Sequence, residues 1–279
     1  MNRRDFYVLP GDCKAPDFGA VPADAIAPIV TFSGEHNKRC LLASASWIKA
    51  PLEVAGLRKH ASDELHMFVG NNPDSPEKLS ATVSFQIEND TLTITESCFV
   101  FVPKGVAHGN IKVLDMEKPF IHFVTHPQTS EYASEPAEAT APEGKYASNH
   151  VERYEPVSGI MPEAPEGFLS EILWIDGAKL AGAPYMECVW FHQSNDDGPP
   201  EHVHADMDEF VGFLGNDPDN PGQLGAHIRF KLDGKYIDFR QPTLIFAPRN
   251  IAHSPILVPS LSKDVIHFTG GNLGSYIRN

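Results

Sequence analysis

The sequence predicts an all-β protein made of two tandem barrels related by internal duplication, and three observations carry that reading. The first is a repeat: shifting the chain by 145 positions lays 63–123 on 208–268 without a gap, and 21 of those 61 pairs are identical. The second is period-two alternation of apolar and polar residues in short runs bounded by turn signals. The third is the lack of any sustained 3.6-residue apolar period. Short strands with frequent turns make antiparallel barrels, double-stranded β-helices of the jelly-roll kind among them.

The elements follow in order. Gly70-Asn71-Asn72-Pro73-Asp74-Ser75-Pro76 falls on Gly215-Asn216-Asp217-Pro218-Asp219-Asn220-Pro221, and its presence in both copies reads as a turn that sets strand register. Residues 81–87 and 226–232 alternate strictly, and Glu88-Asn89-Asp90 and Asp233-Gly234-Lys235 turn the chain after them. Phe99-Val100-Phe101-Val102 and Leu244-Ile245-Phe246-Ala247 are buried-strand runs that Pro103 and Pro248 halt. Residues 127–167, rich in Pro, Ala, Glu and Ser, read as an extended linker that wraps one barrel onto the other. The division is therefore an N-terminal barrel over 1–126, the linker, and a C-terminal barrel over 168–279.

Composition narrows the partners. The net charge is −15, and no Lys/Arg stripe offers a footprint for nucleic acid. Cys13, Cys40, Cys98 and Cys188 are far apart with no CxxC pair, which argues against a disulfide framework or thiolate metal site and fits a reducing compartment. Arg3-Arg4 superficially resembles a twin-arginine export signal, but Pro10, Gly11, Asp12 and Lys14 interrupt the apolar stretch such a signal needs. No apolar run approaches the ~20 residues of a membrane span. A cytoplasmic protein with a small-molecule substrate is expected, and self-association stays open.

The chemistry concentrates in the second copy. His202 and His204 are two residues apart, so on an extended chain both point the same way. Glu209 follows within reach, and His253 opens the strand beyond Pro248. Three imidazoles and a carboxylate suit a divalent transition ion: Mn²⁺ or Fe²⁺ is favoured and Zn²⁺ fits too. In the first copy Leu57 and Lys59 stand where the gapless shift puts His202 and His204. Glu64 and His108 keep their places, and His60 lies one residue off register, on the wrong face unless a bulge restores it. A degenerate site is expected there, with a second metal an open question. His267 and its repeat partner His122 sit between Ile and Phe; facing inward, His267 would serve as acid/base beside the metal, and otherwise it is a buried histidine satisfied by backbone. His192 and His227 occur only in the second copy and, with Arg249, are the substrate-binding candidates, with Glu187 behind them.

These motifs resemble the cupin superfamily. Gly198, His202, His204, Glu209 and Gly215 match its first motif, with a shortened spacing after Gly198. Pro248 to His253 matches its PxGxxH motif, with Asn250 at the glycine position, where Asn tolerates a left-handed turn. The resemblance implies a two-domain cupin with metal ligands His202, His204, Glu209 and His253. It also implies a choice of chemistries, because the fold hosts many. Hydrolytic C–C cleavage of a cyclic 1,3-diketone ranks first, as in family members of the dihydrophloroglucinol cyclohydrolase type, with Glu209 or His267 as proton carrier. Dioxygenation of a similar chelating substrate follows, then isomerase or decarboxylase chemistry, then non-enzymatic small-molecule binding.

Overall fold

Two six-stranded antiparallel sheets, one from each repeat, form the middle of the molecule. The computed structural model describes residues 2–15, 21–22, 24–156 and 164–276. In the first repeat the sheet runs His150–Val151, Cys98–Val102, Glu64–Gly70, Phe120–His126, Leu42–Ile48, Ile26–Phe32. In the second it runs Tyr7–Val8, Thr243–Ala247, Glu209–Gly215, Val265–Gly271, Met186–Phe191, Leu169–Ile175. A five-stranded sheet containing Glu53–Lys59, Lys78–Ile87 and His108–Met116 closes the first barrel. A three-stranded sheet, Lys235–Phe239, Ala226–Leu232 and His253–Leu261, closes the second. The one helix among the described residues is a 3-10 turn at Arg3–Phe6.

Sequence pattern explains which sheet goes where. Glu64–Gly70, Cys98–Val102, Phe120–His126 and their counterparts in the second repeat are buried along their whole length. A strand buried on both faces needs cover on both, and the two six-stranded sheets supply it by packing on each other as well as on their own barrels. Phe123 crosses that boundary, its ring centroid 5.7 Å from Phe210 and 4.5 Å from Phe268. Lys78–Ile87 and Ala226–Leu232 alternate buried and half-exposed residues, because their outer face meets water.

The short strands exchange partners. Tyr7–Val8, ahead of the first barrel, pairs with Ile245 and Leu244 of the second. His150–Val151, ahead of the second barrel, pairs with Val100 and Phe99 of the first. Those partners are 145 residues apart, so each repeat closes the sheet edge of the other in one common register. The paired turns also agree: a Cβ on Gly70 would lie 1.9 Å from the Lys78 carbonyl oxygen, and one on Gly215 2.1 Å from that of Gln223. Only glycine permits either close approach. Asn250 adopts φ 63° where Gly105 adopts φ 77°, the left-handed turn the motif requires.

Candidate metal centres

The C-terminal centre forms where the chain before Glu209–Gly215 crosses the start of His253–Leu261. His202 and His253 exchange both backbone hydrogen bonds at 3.0 Å, an isolated bridge in place of the expected continuous strand. Ligand atoms of His202, His204 and His253 all lie within 4.8 Å of one another. Glu209 begins its strand with one oxygen 2.9 Å from His253 Nε2 and the other 3.6 Å from His204 Nε2. His202 donates its Nδ1–H to the Pro200 carbonyl (2.9 Å) and His253 donates to that of Ile251 (2.9 Å), which turns both Nε2 lone pairs inward. Burial alone would raise the Glu209 carboxyl, but in their protonated form His204 and His253 outweigh it by hydrogen bonding and charge and hold the group at about 2, a role that a cation takes over when the rings are neutral. Converging lone pairs and an ionised carboxylate fit a divalent cation.

A cavity of about 740 Å³ opens beside this centre, with His202, Glu209 and His253 in its lining. The same lining carries His267 and Glu187 together with Phe168, Phe191, Val211 and Ile256. His267 donates Nδ1–H to the Gly212 carbonyl at 3.0 Å, which fixes the neutral tautomer with the Nε2 lone pair available. Its ring stacks between Phe191 (4.9 Å) and Phe213 (4.7 Å), and burial pulls its pKa down to about 4 against the opposing pull of the Gly212 bond and Glu209. His267 is thus satisfied by backbone and also lines the cavity. Glu187 accepts a hydrogen bond from Tyr154 Oη at 3.0 Å. Acidic Glu171 and Asp197 also line the cavity, and no Lys or Arg does among the described residues.

The remaining substrate-binding candidates lie outside that lining. His192 is engaged by Ser170 (2.8 Å) and Asp264 (3.4 Å), and His227 by Asp238 (2.9 Å). Arg249 forms an exposed pair with Asp208 at 2.7 Å. Tyr154 and Tyr276 belong to the cavity lining although sequence reasoning passed over both. Tyr276 Oη lies 3.4 Å from His202 Nε2.

The first repeat corrects the gapless shift. The carbonyl of His60 accepts from Gly105 N at 2.8 Å, as that of His204 accepts from Asn250 N at 2.7 Å. Arg58 pairs with His108 as His202 pairs with His253. His60 is therefore the counterpart of His204, and Arg58, not Leu57, that of His202. The loop from His60 to Glu64 is one residue shorter than that from His204 to Glu209, so no bulge is needed. His60, Glu64 and His108 come together as a buried group of potential ligands, and His66 and His126, missed in the sequence, face the same carboxylate.

No protein-family model matches the chain, and no curated protein matches it. Solved structures do. A tryptophan-to-phenylalanine variant of Bacillus subtilis oxalate decarboxylase aligns with TM-score 0.57 at 11% identity, over 97% of this chain and 81% of that one. A serine-to-alanine variant of the same decarboxylase gives 0.55 at 10% identity, over the same shares. A structure of that decarboxylase used to study its Mn(II) centres gives 0.53 at 9% identity, over 97% and 81%. At these identities the likeness is one of architecture. The protein is a tandem β-barrel of the cupin fold. More narrowly, the chain carries two such barrels in tandem, with a His/Glu group suited to a metal in each.

Proposed function

We propose that the C-terminal barrel is the active centre of a divalent-metal-dependent enzyme acting on a small, uncharged, oxygen-rich chelator. The reaction we propose is hydrolytic ring opening of a cyclic 1,3-diketone. The observation that carries this reading is the cavity wall: beside three imidazoles and Glu209 it places Glu187, Glu171 and Asp197, with no described cationic side chain to hold an anion. An anionic substrate would meet those carboxylates with the bound ion as its one counter-charge among the described groups, whereas a neutral dicarbonyl would need none.

An ion held by His202, His204, Glu209 and His253 would supply Lewis acidity and make water a nucleophile near neutral pH. The chain's own groups do the rest. Nε2 of His267 takes the proton from water and returns it to the ring carbon released as an enolate. Glu209 is committed to His204 and His253, so this work falls to His267 rather than to both. Tyr154 and Glu187, already hydrogen-bonded to each other, orient a substrate oxygen, and Phe168, Phe191 and Phe230 exclude bulk water.

Decarboxylation of a small acid is the second reading, favoured by the activity that names the solved neighbours. One experiment separates the two. Manganese-loaded protein is incubated anaerobically with cyclic 1,3-diketones and, separately, with oxalate, and products are read by mass spectrometry and carbon dioxide release. Ring-opened acids without oxygen support hydrolysis. Carbon dioxide from oxalate alone establishes decarboxylation, and product that forms only with oxygen uptake establishes a dioxygenase.

A further inference from the structure

The N-terminal barrel carries a second, differently built centre. Nε2 atoms of His60, His66 and His126 lie 3.3, 3.5 and 3.4 Å from a Glu64 oxygen, and that of His108 lies nearer still. All of these side chains are buried, the most exposed being His60 at 4%. Yet the four Nε2 atoms and Glu64 Oε2 have no hydrogen-bond partner. Buried polar atoms that stay unpaired cost about 1–3 kcal/mol each, so a cluster of five needs a physical reason.

The tautomers supply it. His60 donates Nδ1–H to the Ala133 carbonyl at 2.8 Å, and His108 donates Nδ1–H to that of Val106 at 3.0 Å. Their Nε2 atoms are then lone-pair acceptors, aimed at a carboxylate that is also an acceptor. His126 places Nδ1 3.0 Å from Ser62 Oγ, and when that oxygen accepts Nδ1–H the His126 Nε2 is a lone-pair acceptor as well. Acceptors converging on acceptors, all of them buried, are reconciled by a cation.

We infer that the N-terminal barrel binds a second divalent ion through His60, Glu64, His108 and His126, with His126 replacing the ligand lost where Arg58 stands for His202. The substitution has a steric logic. His126 matches Gly271 in the repeat, where a Cβ would come within 2.3 Å of Met207 Sδ, so in the C-terminal barrel the buried Met207 side chain takes up the space that His126 uses here. In the N-terminal barrel the position is free, and His126 arrives from the end of Phe120–His126. The Tyr132 ring lies against the cluster, 5.2 Å from His60 and 5.6 Å from His126. His66, with Nδ1 2.9 Å from His122 Nε2, packs the remaining side. Four protein ligands in a closed pocket describe a structural site, and three nitrogens with one oxygen at tetrahedral number suit Zn²⁺ best. The inference does not depend on the reaction assigned to the other barrel.

The test counts ions in the full chain. Protein dialysed against Zn²⁺ and then buffer should hold about two ions per chain by plasma mass spectrometry. His126→Ala and His204→Ala should each hold about one, and the double variant none. A wild-type chain with one ion that survives in His126→Ala and vanishes in His204→Ala overturns the inference. Should His126→Ala fail to fold, His126→Cys loaded with Co²⁺ decides: a thiolate-to-cobalt charge-transfer band supports His126 as ligand, and its absence in folded, two-cobalt protein refutes it.

Discussion

Replacing His267 by Asn tests the cavity histidine through stability, without needing to know the substrate. The Asn amide keeps a donor for the Gly212 carbonyl, which His267 reaches at 3.0 Å, but removes the titrating ring held between Phe191 and Phe213. Burial sets the folded pKa of His267 at about 4, below its ordinary 6.5. The unfolded chain therefore binds a proton before the folded one does as pH falls. The contribution to stability is complete above pH 6.5 and is lost progressively towards pH 4. With about 1.4 kcal/mol per pKa unit, the loss is about 2 kcal/mol at pH 5 and about 3 kcal/mol below pH 4. Urea titrations of wild type and His267→Asn at pH 7.5 and pH 5, both loaded with the same metal, isolate it as a difference of differences. Wild type should lose about 2 kcal/mol more than the variant between those conditions. Parallel losses would show that His267 is not the buried neutral ring described, and would remove it as proton carrier.

The other expectations concern the two barrels and the cavity. His204→Ala should abolish turnover and release the C-terminal ion, measured by metal analysis, since a lost ligand leaves the pocket underfilled. Tyr154→Phe removes the hydrogen bond to Glu187, worth about 1 kcal/mol, and should lower kcat/KM roughly five-fold in steady-state kinetics while leaving metal content unchanged. Arg249→Ala breaks an exposed pair with Asp208 outside the cavity, so kinetic constants should hold and stability fall by less than about 1 kcal/mol in urea. Phe123→Ala should cost about 3–5 kcal/mol in calorimetry, because the ring packs on Phe210 and Phe268 across the two sheets.

Much of this architecture was legible because duplication doubles each signal. A gapless 61-pair match pointed to both barrels, and spacing together with the motif resemblance singled out His202, His204, Glu209 and His253, which the structure brings together. The same rigid shift misplaced His60: one residue fewer before Glu64 breaks the count while the backbone bonds of His60 and His204 stay equivalent. His66 and His126 were readable in principle. Glu64 and His66 alternate on one strand and His122 and His126 share a face of its neighbour, but pairing register between strands is not written in either one. His227 carried a contrary signal. It shares its face of Ala226–Leu232 with Arg229 and Lys231, the side that meets water. Tyr154 and Tyr276 were out of reach, since their roles depend on where irregular chain returns to the barrel.

The exchanged strands bear on how the molecule can be taken apart. Tyr7–Val8 and His150–Val151 occupy matching places, each completing a sheet that belongs to the other repeat. Fuse two chains of a strand-swapped homodimer end to end and this is the arrangement that results. The covalent link through 137–149 then holds together what the swapped edges already hold. Nicked there, the two fragments would remain interlocked, and expressed singly each would expose the edge its missing partner covers. Divergence between the barrels, one opening on a cavity and the other closed around its histidines, has taken place inside a mutual clasp that lets neither leave.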